Sequence, residues 1–204
     1  MGFPGRYMVN NRLKGHVCYL AGSIDKSNDY GREWRYDISS FLNGLDIGVL
    51  NPCDKPIINK KINEDEDFVE MVQSLKNKGK YLEVQEIMKE IVRIDLKMVD
   101  LCNFMILNVV PEVHMCGSYN EQSLACYQRK PIIVHCESGI HRIPNWLFGI
   151  CDPDLFFSKW EYVKDYIKHI AYSESVDDND SKWRFLDYNK IFGVPSYDIV
   201  NEIL

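Results

Sequence analysis

Glu121 lies in the run CGSYNEQSLA (116–125), Asp95 in RIDLKMVD (93–100), and Tyr19 near the end of the apolar run HVCYLAG (16–22). A carboxylate can attack an anomeric carbon and hold the sugar as a covalent glycosyl ester. A second carboxyl group can orient the substrate or protonate the leaving group, and a tyrosine hydroxyl can hold the nucleophile in its reactive orientation. The residue types permit this chemistry and do not establish it. Ser118 and Glu121 also fit the S-x-x-E capping box, in which each side chain satisfies a backbone N–H at a helix start. At the third position of such a helix Glu121 would sit near its positive end, where a carboxylate stays ionised, and the expectation is that it points to the rim of a site. Read without function, Asp95 is a solvated helix residue beside the apolar Ile94 and Met98, and Tyr19 a core tyrosine bonding through its hydroxyl.

An open parallel sheet would bring the three together. HVCYLAG (16–22), DIGVL (46–50), NFMILNVV (103–110) and PIIVHC (131–136) are short continuous apolar runs, as strands buried on both faces require. Helical patterns alternate with them. DYGREWRYDISSFLNG (29–44) puts Trp34, Ile38, Phe41 and Leu42 on one face and stops at Gly44. Residues 64–102 are helical, with KNKGK (76–80) the place for a break, and Val84, Ile87, Ile91, Ile94 and Met98 form an amphipathic stripe. Residues 118–130 and 158–172, the latter with Ser158 as cap, are further helices. The alternation predicts an α/β fold with a mainly parallel sheet.

Ligands of such sheets bind beyond the carboxyl ends of the strands. AGSID (21–25), NPCD (51–54) and VPEVHMCGSYNE (110–121) should share that rim. It collects Tyr19, Gly22, Ser23, Asp25, Asp54, Gly117, Ser118 and Glu121, and the end of the long helix brings Asp95. Gly22 and Gly117 let a ligand approach bare backbone, although AGS is neither GxGxxG nor a P-loop. Residues 1–15 are taken as an N-terminal extension, 16–172 as the α/β domain, and 173–204 as a C-terminal tail. The tail opens with an acidic loop and is too aromatic beyond it to be disordered, so it is expected to pack on the domain or on a neighbouring subunit.

The chain has 204 residues, 46% hydrophobic and 26% charged, with a formal net charge of -6. No Lys/Arg block offers the basic patch that long nucleic acid requires. NKKINEDED (59–67) is a mixed-charge run. Seven cysteines in no framework indicate a reducing, cytoplasmic setting. No signal-peptide core or membrane-spanning run is visible. His114, Cys116, His135, Cys136 and His141 match no usual zinc spacing, so no metal is expected. Trp146, Phe148, Phe156, Phe157 and Trp160 are expected to pack the 136–160 segment onto the sheet.

Five ordered patterns resemble the nucleoside 2-deoxyribosyltransferase family: YLAGS (19–23), NPCD (51–54), DLKMVDLCNFMIL (95–107), CGSYNE (116–121) followed by LACYQRKPIIV (124–134), and IPNWLFG (143–149). Phage-type members with a G-T-Y-x-E version are the nearest in pattern, and the resemblance covers about residues 16–170. It implies a five-stranded, doubly wound, flavodoxin/Rossmann-like parallel sheet with helices on both faces. It implies Glu121 as nucleophile, Asp95 as the residue that contacts the base and assists proton transfer, and Tyr19 as the group positioning the nucleophile. Asn145 corresponds to the residue a neighbouring subunit lends to the sugar 5′ end. Gly22, Ser23, Asp54, Gly117 and Ser118 complete the substrate-binding set.

The implied substrate is a nucleoside or its 5′-monophosphate, with a free base or water as acceptor. The implied state is a dimer or higher homo-oligomer, without metal or organic cofactor. The related monophosphate N-glycosidases carry a phosphate-binding serine six residues before the nucleophile and the transferases an aspartate; this chain has Met115 there. The loop GSIDKSNDYGREWR (22–35) resembles the glycosidase phosphate loop. Arg32 or Arg35 would meet a phosphate there, or else be solvated helix residues. Two readings outside catalysis stay open: a nucleotide-binding module on the same rim, favoured by Met115, and a scaffold protein on the same fold.

Overall fold

The computed structural model describes residues 11–24, 29–56, 63–173, 183, 185 and 186. Each of the four apolar runs contains a strand: β1 (Val17–Gly22), β2 (Gly48–Leu50), β3 (Phe104–Asn108) and β4 (Ile132–His135). A fifth, β5 (Phe156–Phe157), has two residues and pairs beside β4. All pairings are parallel and the order is β2-β1-β3-β4-β5. The order reverses between β1 and β3, so the two chains leave toward opposite faces and open a crevice at their carboxyl ends.

Among the described residues six α-helices complete the alternation: α1 (Arg32–Asn43), α2 (Glu66–Asn77), α3 (Tyr81–Leu101), α4 (Cys116–Tyr127), α5 (Asn145–Ile150) and α6 (Trp160–Tyr172). The break within 64–102 falls at residues 78–80, where Gly79 takes a φ of 69°. Ser158 does not cap α6, whose N-cap is Lys159 with no side-chain bond.

The two-residue side-chain period of a strand divides the core. Cys18, Leu20, Phe104, Ile106 and Ile133 meet Ile38 and Leu42 of α1 and Val163 and Ile167 of α6. Tyr19, Ala21, Met105, Leu107 and Val134 meet Met98 and Val99 of α3, Ala125 of α4 and Leu147 of α5. Helices therefore cover both faces, a doubly wound α/β architecture. Leu13 and Trp183 are buried on the α1/α6 side, and the Arg12 N–H donates to the Ala171 carbonyl at 2.8 Å. The expected acidic loop and the rest of the tail lie outside the described residues. Of the aromatic set, Phe148 packs edge-on to Phe156 at 5.0 Å and Trp160 stacks on His135 at 3.8 Å, whereas Trp146 is exposed. Among the described residues no helix is long and apolar enough to cross a membrane.

Candidate active site

Tyr19 is the third residue of β1 and faces α3 and α4, with no exposed surface. Asp95 lies on α3 four residues after Ile91 and three before Met98, both buried, so helical spacing carries it inward. The Lys130 ammonium donates to the carbonyls of Val99 and Asp100, which closes the C-terminal end of α3. Glu121 comes from α4 and is half-buried. Sheet, α3 and α4 thus each supply one of the three side chains.

The capping box does not form. α4 begins at Cys116 with Met115 as N-cap and no side-chain cap bond, so Ser118 is the third helical residue and Glu121 the sixth. The helix is already under way at Ser118: the Tyr119 N–H is taken by the Met115 carbonyl at 2.9 Å. Met115 is buried, and its sulfur accepts from the Val110 N–H at 3.4 Å, anchoring the approach to the helix.

Electrostatics place the three groups in one neighbourhood. Burial pushes the Glu121 carboxyl up to about 7; Glu64 adds to this, while the Tyr19 hydroxyl, Arg35 and Lys55 oppose it. The expectation of a carboxylate kept ionised by the helix dipole is therefore corrected: that field fades within the first turn, and burial beside another acid outweighs it. Asp95 is pushed up to about 8, first by burial, then by Glu64, against the pull of Lys55. The Tyr19 hydroxyl is held well above its ordinary range, by burial and then by Glu121, Asp95 and Glu64. It makes no hydrogen bond of full geometry, yet it lies near enough to Glu121 to favour the ionised carboxylate.

Two members of the cluster escape the sequence reading. Lys55 is fully buried and its ammonium is gripped between Glu64, at 2.9 Å, and Asp95, in a very short contact. Glu64 precedes α2, which packs on α3 through Phe68, Val72 and Ile91. Both residues fall in stretches that look like solvated charge. The available signal was position: Lys55 directly follows the NPCD turn at the sheet's carboxyl rim.

The remaining candidates divide. Gly22 closes β1, and a Cβ there would come within 2.9 Å of Trp34. Ser23 is buried, and its hydroxyl has no hydrogen-bond partner among the described residues. Gly117 is exposed with open space about it, and Ser118 is buried. Asp54 is exposed and lines a hollow with Arg32, Tyr36 and Cys53, away from Glu121; the turn that sends Lys55 inward sends Asp54 outward. Asn145 is an exposed first residue of α5. Asp25 lies outside the described residues.

Arg35 is not a solvated helix residue. It is fully buried and donates to the carbonyls of Leu20 (3.3 Å), Gly22 (2.7 Å), Ser23 (3.4 Å) and Gly31 (2.8 Å). Gly31, at φ 68°, has no room for a side chain: a Cβ would lie 2.2 Å from the guanidinium. Arg32 is exposed. A separate hollow of about 840 Å³ lies between α1, α6 and the ends of β3 and β4, lined by Trp34, Asn108, His135 and Trp160. It contains none of Tyr19, Asp95 and Glu121, and the chemistry is read from that cluster rather than from the hollow.

No protein-family model matches the chain, and no curated protein does. Solved structures similar to it include a 2-deoxyribosyltransferase from Bacillus psychrosaccharolyticus, at 13% identity over 78% of this chain and 99% of that one, with a TM-score of 0.49. A 2-deoxyribosyltransferase from Leishmania mexicana is 15% identical over 76% of this chain and 98% of that one, at a TM-score of 0.44. A CMP N-glycosidase from Clostridium botulinum is 13% identical over 74% and 98%, at 0.41. These are the two kinds of enzyme that the five sequence patterns resemble. Likeness at this level carries no inference about activity, which rests on this chain's own side chains.

Proposed function

We propose that the chain cleaves the N-glycosidic bond of a deoxyribonucleoside or its 5′-monophosphate through a glycosyl ester on Glu121. The observation that carries this reading is the convergence of Tyr19, Asp95 and Glu121, from a strand and two helices, on one buried neighbourhood at the sheet's carboxyl edge. A Glu121 oxygen attacks C1′. The bond from C1′ to the base breaks, its electron pair goes to the base nitrogen, and Asp95 delivers a proton there. A second base or water then attacks C1′, the Glu121 oxygen leaves with its pair, and Asp95 recovers a proton from the incoming group. Tyr19 holds the nucleophile, and Gly22, Ser23, Gly117 and Ser118 line the approach. Asn145 faces outward, where it suits the site of a neighbouring subunit in a homo-oligomer.

The raised carboxyls support the assignment of roles. Chemistry near neutral pH needs one ionised carboxylate and one protonated acid, and burial raises both Glu121 and Asp95 toward that range. The test is a panel of deoxynucleosides and deoxynucleotides, with and without free bases, followed for base release by chromatography. Wild type should release base, and Glu121→Ala should lose at least about a thousandfold of the rate. Mass spectrometry of an acid-quenched reaction should show a pentosyl adduct on Glu121. Equal behaviour of the two proteins on every substrate removes the catalytic reading, and saturable binding of an intact nucleotide would replace it with the binding module.

A further inference from the structure

Lys55 presents an unusual arrangement: one buried ammonium between two carboxylates, with Glu64 at 2.9 Å and Asp95 closer still. Lys55 has no exposed side-chain surface, and the side chains of Glu64 and Asp95 are 12% and 7% exposed. The chain is tied locally to keep it so. The Lys55 N–H donates to the Asn63 side-chain oxygen at 3.0 Å, the Glu64 N–H to the Pro52 carbonyl at 3.4 Å, and Asp65 caps α2 through the Phe68 N–H at 3.0 Å. The turn after β2 is thereby stitched to the start of α2, and Glu64 is delivered to the lysine that also holds Asp95.

Among the described residues, two carboxylates and one ammonium, all ionised, leave a net negative charge in this cluster, largely out of water. Burial of such a charge is penalised heavily, and the simplest relief is to keep one proton in the carboxylate pair. Resting on the function proposed above, we propose that Lys55 and Glu64 are positioning residues of the same site: Lys55 fixes Asp95, and the Glu64 carboxylate beside it keeps a proton on Asp95, so that Asp95 is the acid for the departing base. The groups facing Asp95 are Lys55 and Glu64 from the segment between β2 and α2, with Tyr19 of β1 as a further neighbour. Glu121 meets the same cluster through the charges of Glu64, Lys55 and Arg35. Glu64 raises both Asp95 and Glu121. Upon reaction the proton passes from Asp95 to the base nitrogen as the C1′–N bond breaks. It is replaced from the water or base that next attacks C1′.

The experiment is a carboxyl titration of the full chain carrying ¹³C-labelled aspartate, with the Asp95 resonance identified by its loss in Asp95→Asn. Wild type should show Asp95 titrating well above the ordinary carboxylate range. Glu64→Gln removes the competing charge and leaves Lys55 in place, so the Asp95 midpoint should fall by about one pH unit or more. A purely structural Glu64 would alter the yield of folded protein without moving that midpoint. An ordinary midpoint in wild type, or an unmoved midpoint in Glu64→Gln, overturns the proposal. This readout needs no turnover, so a chain that releases no base from any substrate defeats the catalytic reading separately. Where base is released, Glu64→Gln should also move the alkaline limb of the rate profile to lower pH by a similar amount.

Discussion

Two fully buried basic residues approach the carboxyl end of β1 by different routes, and their company differs. Lys55, on the α3 side, is held by carboxylates. Arg35, from α1, is held by four backbone carbonyls and lies 4.5 Å from the centre of the Trp34 ring. Carbonyls do not titrate. Arg35 therefore fixes the path of the chain after β1, with a planar fork of donors that a lysine cannot match, and acts on the acids only as a fixed charge that favours the ionised Glu121. Lys55 is a point charge among acids, so its position is inseparable from which of them holds a proton. The same element end thus carries one cation that sets shape and one that sets charge.

The largest effects should separate these roles through stability. Arg35→Met strands four carbonyls and should lower stability by about 3–5 kcal/mol at pH 5, with a modest further loss at pH 8 because the guanidinium also favours the ionised Glu121. Lys55→Met takes away the ammonium that holds Asp95 down, so Asp95 rises further. A folded-state value above the unfolded one gives no penalty below the unfolded value and a growing penalty as pH rises towards the folded one. Lys55→Met should therefore be far less stable at pH 8 than at pH 5. Urea unfolding at both pH values checks this, and a parallel loss in the two variants would erase the contrast.

Glu121→Gln should have a smaller effect, of opposite sign. Glu121 is raised to about 7 in the folded chain, so its ionisation opposes folding above the ordinary glutamate value. Its removal should stabilise the protein at pH 8 by about 1–3 kcal/mol, a gain that vanishes near pH 4. Thermal melts at the two pH values measure it. A stabilising Glu121→Gln would fit the proposed role, since a residue that destabilises its own fold needs a reason outside stability to be kept.

The smallest effect concerns rate. Base release should follow a bell, with an acid limb near 7 and an alkaline limb near 8, each falling about tenfold per pH unit beyond its midpoint. The limbs belong to the coupled cluster as a whole. In Arg35→Lys, wherever it folds, the bell should stay centred as in wild type, because the arginine shapes the loop without exchanging protons.

Much of this arrangement is legible in the sequence, and the failures share a cause. Apolar runs mark β1 to β4 because strands covered on both faces leave no polar alternation. β5 escapes because two residues make no pattern. The helical spacing of Ile91, Asp95 and Met98 shows Asp95 at the edge of the buried face. Ser118 misleads because a local motif cannot reveal that the helix starts earlier, at the apolar Met115–Cys116 step. The sequence singles out Asp54 and passes over Lys55, and it leaves Arg35 between a phosphate contact and solvent, because lysine and arginine are so seldom buried that the residue type argues against the core. Only tertiary pairing, which has no local signature, reverses that.

Tyr19, Asp95 and Glu121 all stand on strands or long helices, whereas Ser23, Asp54 and the residues that follow each strand stand on connecting chain. Regular elements hold side chains more tightly than loops do. Gly22, Gly117 and Ser118 share β1 and α4 with Tyr19 and Glu121, so only the connecting chain can vary without disturbing the proposed reacting groups. Exchange of those loops, with β1, α3 and α4 kept, would ask of the proposed activity which substrate preferences live in the connections alone.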